Sequence, residues 1–230
     1  MELPVYSYWS TPASKIPRQT EGQFRIREVR LTRGYYNMSG LLDAALYKVS
    51  KSIPITELQE HRGRRWITWM VDDPPQWEAM KFYASQARGR VLCGGLGLTL
   101  VQNALASNPN VTSVTTVEQS SNVIKLSSGN IPEGQHIIHG DLYRLVDGDY
   151  GYNWDTIIAD IWTTSLGPKM AFYYEVARFA ANVKTLAPQT RFYAHGFTTV
   201  CDTVWPISKS TRQSLQLLAE TNTDYSPQPR

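Results

Sequence analysis

Arg90-Val-Leu-Cys-Gly-Gly-Leu-Gly97, Val114-Thr-Thr-Val-Glu118, His136-Ile-Ile-His-Gly-Asp141 and Trp154-Asp-Thr-Ile-Ile-Ala-Asp160 together decide the fold of this 230-residue chain. Each run is short, rich in Val and Ile and bounded by turn formers, the pattern of strands buried on both faces. The segments between them, 98–107 and 121–127, have room for short helices. Strands alternating with helices pair in parallel, and parallel pairing sets every strand's carboxyl end along one edge of the sheet. Glu118, Asp141 and Asp160 therefore converge on one crevice, where open α/β sheets bind ligands near the point at which strand order reverses.

Gly95 and Gly97 supply a tight strand-to-helix turn and close backbone approach, which a side chain would obstruct. Glu118 follows Gly97 by 21 residues, the spacing at which an acid on the second strand reaches ribose hydroxyls. A carboxylate accepts two hydrogen bonds from a vicinal diol, and Asp141 is placed to accept one from an adenine amino group. Leu100 stands where a dinucleotide fingerprint wants its third glycine, which argues against nicotinamide or flavin. A phosphate-cradling loop fails too, because no lysine lies between Lys81 and Lys125.

On these residues the chain resembles the class I S-adenosylmethionine-dependent methyltransferases. The similar segments are residues 91–99, Val117-Glu118, Gly140-Asp141 and Ile158-Ala-Asp160. Its flavour is that of the spermidine synthase-like branch, in which Asp-Glu-x-x-Tyr-x-Glu-Met precedes the first core strand. Here Asp72-Asp-Pro-Pro-Gln-Trp-Glu-Ala-Met80 is similar in placement, with Trp77 where the tyrosine would be. The resemblance implies an α/β, Rossmann-like, doubly wound and mostly parallel sheet, with S-adenosylmethionine as cofactor. It sets Gly95 and Gly97 beneath the methionine part, Glu118 on the ribose, Asp141 on the adenine, and Asp160 as the acid that orients or deprotonates the nucleophile. Asp73, Trp77 and Trp162 are the implied substrate contacts. Two departures stand out. The branch carries a second acid just after the position of Asp160, where this chain reads Ile161-Trp162, and Thr99 replaces a glycine of the cofactor loop.

Three functions remain on these residues: methyl transfer, aminopropyl transfer, and a non-catalytic module whose crevice is plugged by Trp162 or Leu98. The methyl acceptor is not legible, because acceptor pockets in this fold share no common motif. Trp162, Trp77, Tyr143 and Tyr152 are candidates to wall the pocket and favour a cationic ligand.

Composition fits one catalytic domain with 42% hydrophobic residues. The expected division is an N-terminal arm and small β-containing cap over 1–71, the Rossmann-like domain over 72–220 and a frayed tail over 221–230. Residues 1–20, with Pro4, Pro12 and Pro17, are expected to form an extended arm available for homo-oligomer contact. The cap is expected to hold a helix near 40–49, a strand over 24–33 with its arginines on the outer face, and another over 66–71. Helices are further expected over 75–86 and 168–184, a fifth strand over 191–194 ending at His195, and a last helix ending near 220.

No run approaches 18 apolar residues, so no membrane span is expected. The start lacks a secretory signal, and Cys93 and Cys201 fit two buried thiols in a reducing cytoplasm. No metal site is expected, because His136 and His139, three apart on a strand, point to opposite faces. The net charge of +3 does not favour nucleic acid. Its distribution is uneven: residues 1–70 carry 11 Lys and Arg against 6 Asp and Glu. This basic part admits an anionic partner, although a solvated strand face is the more economical account of it.

Overall fold

The computed structural model describes residues 3–38, 45–162, 169–194 and 197–198. The N-terminal region builds two small sheets. The first joins β1 (Val5–Tyr6), β4 (Gly34–Met38) and β5 (Ala45–Val49) in the order β1-β5-β4. The second joins β2 (Thr20–Glu21), β3 (Phe24–Leu31), β6 (Ile53–Arg62) and β7 (Arg65–Val71) in the order β2-β3-β6-β7, all antiparallel, with β4 and β5 inserted between β3 and β6.

There follow α1 (Pro74–Gln86), β8 (Gly89–Gly94), α2 (Leu100–Leu105), β9 (Val111–Glu118), α3 (Ser121–Ser127), β10 (His136–His139), β11 (Thr156–Ala159), α4 (Lys169–Leu186), β12 (Arg191–Ala194) and β13 (Phe197–Thr198). Their sheet runs β10-β9-β8-β11-β12-β13, parallel except for the last pair. Winding proceeds outward from β8 through β9 to β10, then returns to the other side of β8 at β11. This is the Rossmann-like, class I methyltransferase arrangement expected from the sequence, with its switch point between β8 and β11.

Period-two alternation assigns each strand residue to one of two cores. Val91, Cys93, Val114, Ile158 and Tyr193 pack with α1, α2 and α3, while Leu92, Val117, Ile157, Ala159 and Phe192 pack with α4 and Leu142. Cys93 is fully buried and its thiol is pushed up to about 12 by desolvation, so it is chemically quiet. Strand β10 departs from expectation. It is an edge strand with His136, Ile138 and His139 exposed, because β9 covers only one of its sides.

Three expectations for the cap need correction. Residues 45–49 form strand β5 rather than a helix, and residues 40–44 lie outside the described residues. Tyr47 and Val49 alternate inward, and Tyr47 stacks on Tyr36 across the β4–β5 pair at 5.4 Å. The arginines of β3 do not share one face. Phe24 and Ile26 turn to the main core, but Val29 and Leu31 turn to the cluster around Tyr47, so the buried face changes sides along the strand. Arg25 and Arg27 therefore lie on the face opposite Arg30.

Nor is the N-terminal segment a free arm. Ala13 and Ile16 are buried in the main core, and Trp9 Nε1 donates to the Asp72 carbonyl at 2.7 Å. The predicted helix ending near 220, the tail and His195 lie outside the described residues. Among the described residues, no helix is long and apolar enough to cross a membrane.

Candidate functional site

Register fixes the geometry of the carboxyl edge. Val117, Gly94 and Ala159 form one cross-strand row, so the next row holds Glu118, Gly95 and Asp160 on three adjacent strands. Asp141 follows the end of β10, whose His139 is level with Glu118. The turn carrying Asp141 lies across β8, since a Cβ on Gly94 would stand 2.2 Å from the Leu142 side chain.

Gly95 has φ +88, and a Cβ there would meet the Asp160 carbonyl oxygen at 2.7 Å. The glycine thus lets the turn after β8 press against the strand end that bears Asp160. At Gly97, φ is +48 and a Cβ would meet Met70 Sδ at 2.7 Å. The same sulfur accepts the Leu98 N–H at 3.4 Å, so the cap reaches the glycine turn through Met70. A register shift between Leu58 and Gln59 makes this possible: Trp69 is the extra residue, and both Trp69 and Met70 pack on the main core. Thr99, at the missing glycine, keeps the glycine-like conformation with φ +57. Its hydroxyl accepts from Asn130 Nδ2 at 2.8 Å and from Asn103 Nδ2 at 3.1 Å, which holds a β-branched residue in a region it rarely visits.

Glu118 organises the turn. One carboxylate oxygen accepts Leu96 N–H and the other Ser120 N–H, both at 2.8 Å. Asp141 accepts Tyr143 N–H at 2.9 Å through Oδ1. Gln102, buried on α2, donates to the Gly95 carbonyl at 3.1 Å and steadies the turn from below.

Asp160 is linked to the start of α1, because Gln76 Nε2 donates to its Oδ2 at 3.2 Å while Gln76 N–H donates to Asp73 Oδ1 at 3.2 Å. Asp73 caps α1, and burial together with the neighbouring Asp72 charge pushes its carboxyl up to about 6 against the lowering bond from Gln76. Gln76 was missed in the sequence, although Asp73-Pro-Pro-Gln76 has the spacing of a capping box. Its side chain reaches Asp160 instead of turning back on the cap.

Other candidates lie to the side. Trp77 packs between the main core and the Tyr47 cluster, with Lys81 Nζ 5.9 Å from its ring. Trp162 Nε1 donates to Tyr143 Oη at 2.7 Å and its ring packs against Phe179. Leu98 is fully buried beneath the turn. The structure therefore brings Gly95, Glu118, Asp160, Gln76 and Asp73 together, sets Asp141, Tyr143 and Trp162 along the flank, and turns Trp77 into packing.

The donor set is informative as chemistry. Four carboxylates gather at the edge, whereas Arg88 and Arg90 sit at the opposite end of β8. Such a set fits an adenosine and a cationic sulfonium, and it does not fit a phosphate. Fold and edge thus define a Rossmann-like α/β protein whose acidic side chains gather at the carboxyl edge of its parallel sheet.

No protein-family model and no curated protein matches the chain. Among solved structures, a candidate SAM-dependent methyltransferase from Streptococcus mutans is 13% identical, covering 73% of this chain and 44% of its own, with TM-score 0.46. A SAM-dependent methyltransferase from Agrobacterium tumefaciens is 16% identical over 72% of this chain and 55% of its own, with TM-score 0.38. MtNAS in complex with MTA and tNA is 21% identical over 54% and 46%, with TM-score 0.37. The chain spans about half the length of these proteins. These likenesses are partial, and strand order and register define the fold by themselves.

Proposed function

We propose that the chain is an S-adenosylmethionine-dependent transferase, in its simplest form a methyltransferase, acting at the carboxyl edge of the parallel sheet. The observation that supports it is the single row of Glu118, Gly95 and Asp160, with Asp141 on the adjoining turn. Each Glu118 oxygen accepts one backbone N–H and retains a second lone pair, the capacity that a ribose diol requires. Asp141 uses Oδ1 on its own turn, and its Oδ2 suits an adenine amino group. Gly95 and Gly97 leave backbone, not side chain, facing the methionine part.

The cofactor supplies a carbon made electrophilic by its sulfonium. The protein's task is then alignment and proton removal. Asp160, oriented by Gln76, accepts a hydrogen bond from the nucleophile of the acceptor and takes its proton where it carries one. Trp162 and Tyr143 border that position on the flank. Calorimetry with S-adenosylmethionine and its demethylated product tests this reading. Binding weakened at least about tenfold in Glu118→Ala supports it, given the cost of losing a charged hydrogen-bond acceptor. No heat at millimolar ligand ends it.

A second reading, aminopropyl transfer, gains from one contact. The acid missing after Asp160 has a counterpart in Asp73, one glutamine away. Two carboxylates so placed suit a diamine. Incubation with decarboxylated cofactor and a diamine separates the readings, since only this one yields the longer polyamine.

A further inference from the structure

The four-stranded cap sheet carries five arginines that the transferase reading does not use: Arg25 and Arg27 on one face of β3, Arg62 and Arg65 paired on the other face at the tip of the β6–β7 hairpin, and Arg64 in the turn between them. Two carboxylates stand among them, and both are engaged. Glu57 pairs with Arg27 at 3.3 Å and accepts from Thr68, while Glu60 pairs with Arg62 at 2.7 Å. Arg25, Arg64 and Arg65 make no ion pair among the described residues. Arg64 and Arg65 flank the Gly63 turn and are exposed.

Arg25 is held as a plane. Its Nε donates to Gln59 Oε1 at 2.7 Å, and its guanidinium lies 4.1 Å from the centroid of the Trp66 ring. The His61 ring sits 4.9 Å from Trp66, so guanidinium, indole and imidazole form one half-exposed ledge beside the cationic tip. Loose charges suit any polyanion, whereas a fixed planar ledge next to unpaired guanidiniums suits bases and phosphates together.

We propose that this end of the cap sheet binds single-stranded nucleic acid, with phosphates at Arg64 and Arg65 around the hairpin tip and a base against the Arg25–Trp66 ledge. The surface acts independently of cofactor binding. The test uses the full chain and fluorescence anisotropy with labelled DNA and RNA strands of about 12 nucleotides, matching duplexes, and polyglutamate. Single strands of either sugar are expected to bind most tightly, with affinity falling as salt rises. The Arg64→Glu/Arg65→Glu variant is expected to weaken binding about tenfold or more and to flatten the salt slope by about 1.4, at ~0.7 per phosphate contact. Arg25→Gln is expected to lower single-strand affinity with less effect on the slope, since it removes stacking more than phosphate contact. Wild-type affinity in the double variant, at unchanged circular dichroism, overturns the proposal. So does duplex or polyglutamate binding as tight as that of the single strand, or no binding to single strands at low salt.

Discussion

Strands β8, β11 and β12 bury every residue from Val91 to Gly94, Thr156 to Ala159 and Phe192 to Ala194, whereas β3 buries one face at one end and the other face at the other. The difference follows from what covers each sheet. Helices and turns close both faces of the parallel sheet, so its polar groups are driven to the strand ends, where they converge. The cap packs on the main core near Ile26 and Leu58, and on the small sheet near Ile53 and Ile55. Its polar groups are left mid-strand and pair locally, as Arg27 does with Glu57.

The joint between the regions is the first place to break this contrast. Asp72 is 1% exposed, accepts Thr11 Oγ1 and Thr56 N–H at 2.5 Å each, and has its carboxyl raised by burial against those bonds. Asp72→Ala strands two buried donors and is expected to cost about 3–4 kcal/mol in chemical denaturation. A single transition keeps cap and parallel sheet as one cooperative unit, and two transitions separate them. Gly95→Ala is next, at about 2–3 kcal/mol, because it adds a Cβ at φ +88 against the Asp160 carbonyl. Loss of cofactor heat is expected with it. If Gly95→Ala binds as wild type, the edge is not the binding surface.

Asp73→Asn sharpens the comparison with the opposite sign. Burial pushes the folded carboxyl up to about 6, above its ordinary value, so the cost of charging it is absent below pH ~4, builds as pH rises from about 4 to 6 and is complete above. Asparagine keeps the cap without the charge. The variant is expected to gain about 1–2 kcal/mol at pH 7 and nothing at pH 4, read as a pH-dependent difference in thermal midpoint. Thr99→Gly has the smallest effect, within about 1 kcal/mol either way, because relief at φ +57 is offset by the lost hydroxyl bonds to Asn103 and Asn130.

Where sequence alone was enough, the reason was burial on both faces. Continuous apolar runs ending in Glu118 and Asp160 admit one arrangement, and the glycines between them one kind of turn. The cap resisted because its buried side switches at Glu28, so Phe24-Arg-Ile-Arg looks like a strand with one outer face until Val29. Residues near 41–46 have helical composition, yet β5 forms through the pairing of Tyr47 with Tyr36 and of Val49 with Tyr6 and Gly34, contacts that no local pattern records. Gln76 and Met70 were invisible for a similar reason. Each acts across the fold, on Asp160 at 84 residues' separation and on Leu98 at 28.

The segment from Trp9 to Ile16 has one more consequence, for how the protein is made. Its anchors come much later in the chain: the Asp72 carbonyl for Trp9, and Asn130, whose Nδ2 donates to the Pro12 carbonyl at 3.1 Å across 118 residues. Synthesis releases this stretch before either receptor, so its full docking waits until Asn130 has been made and belongs among the later events of folding.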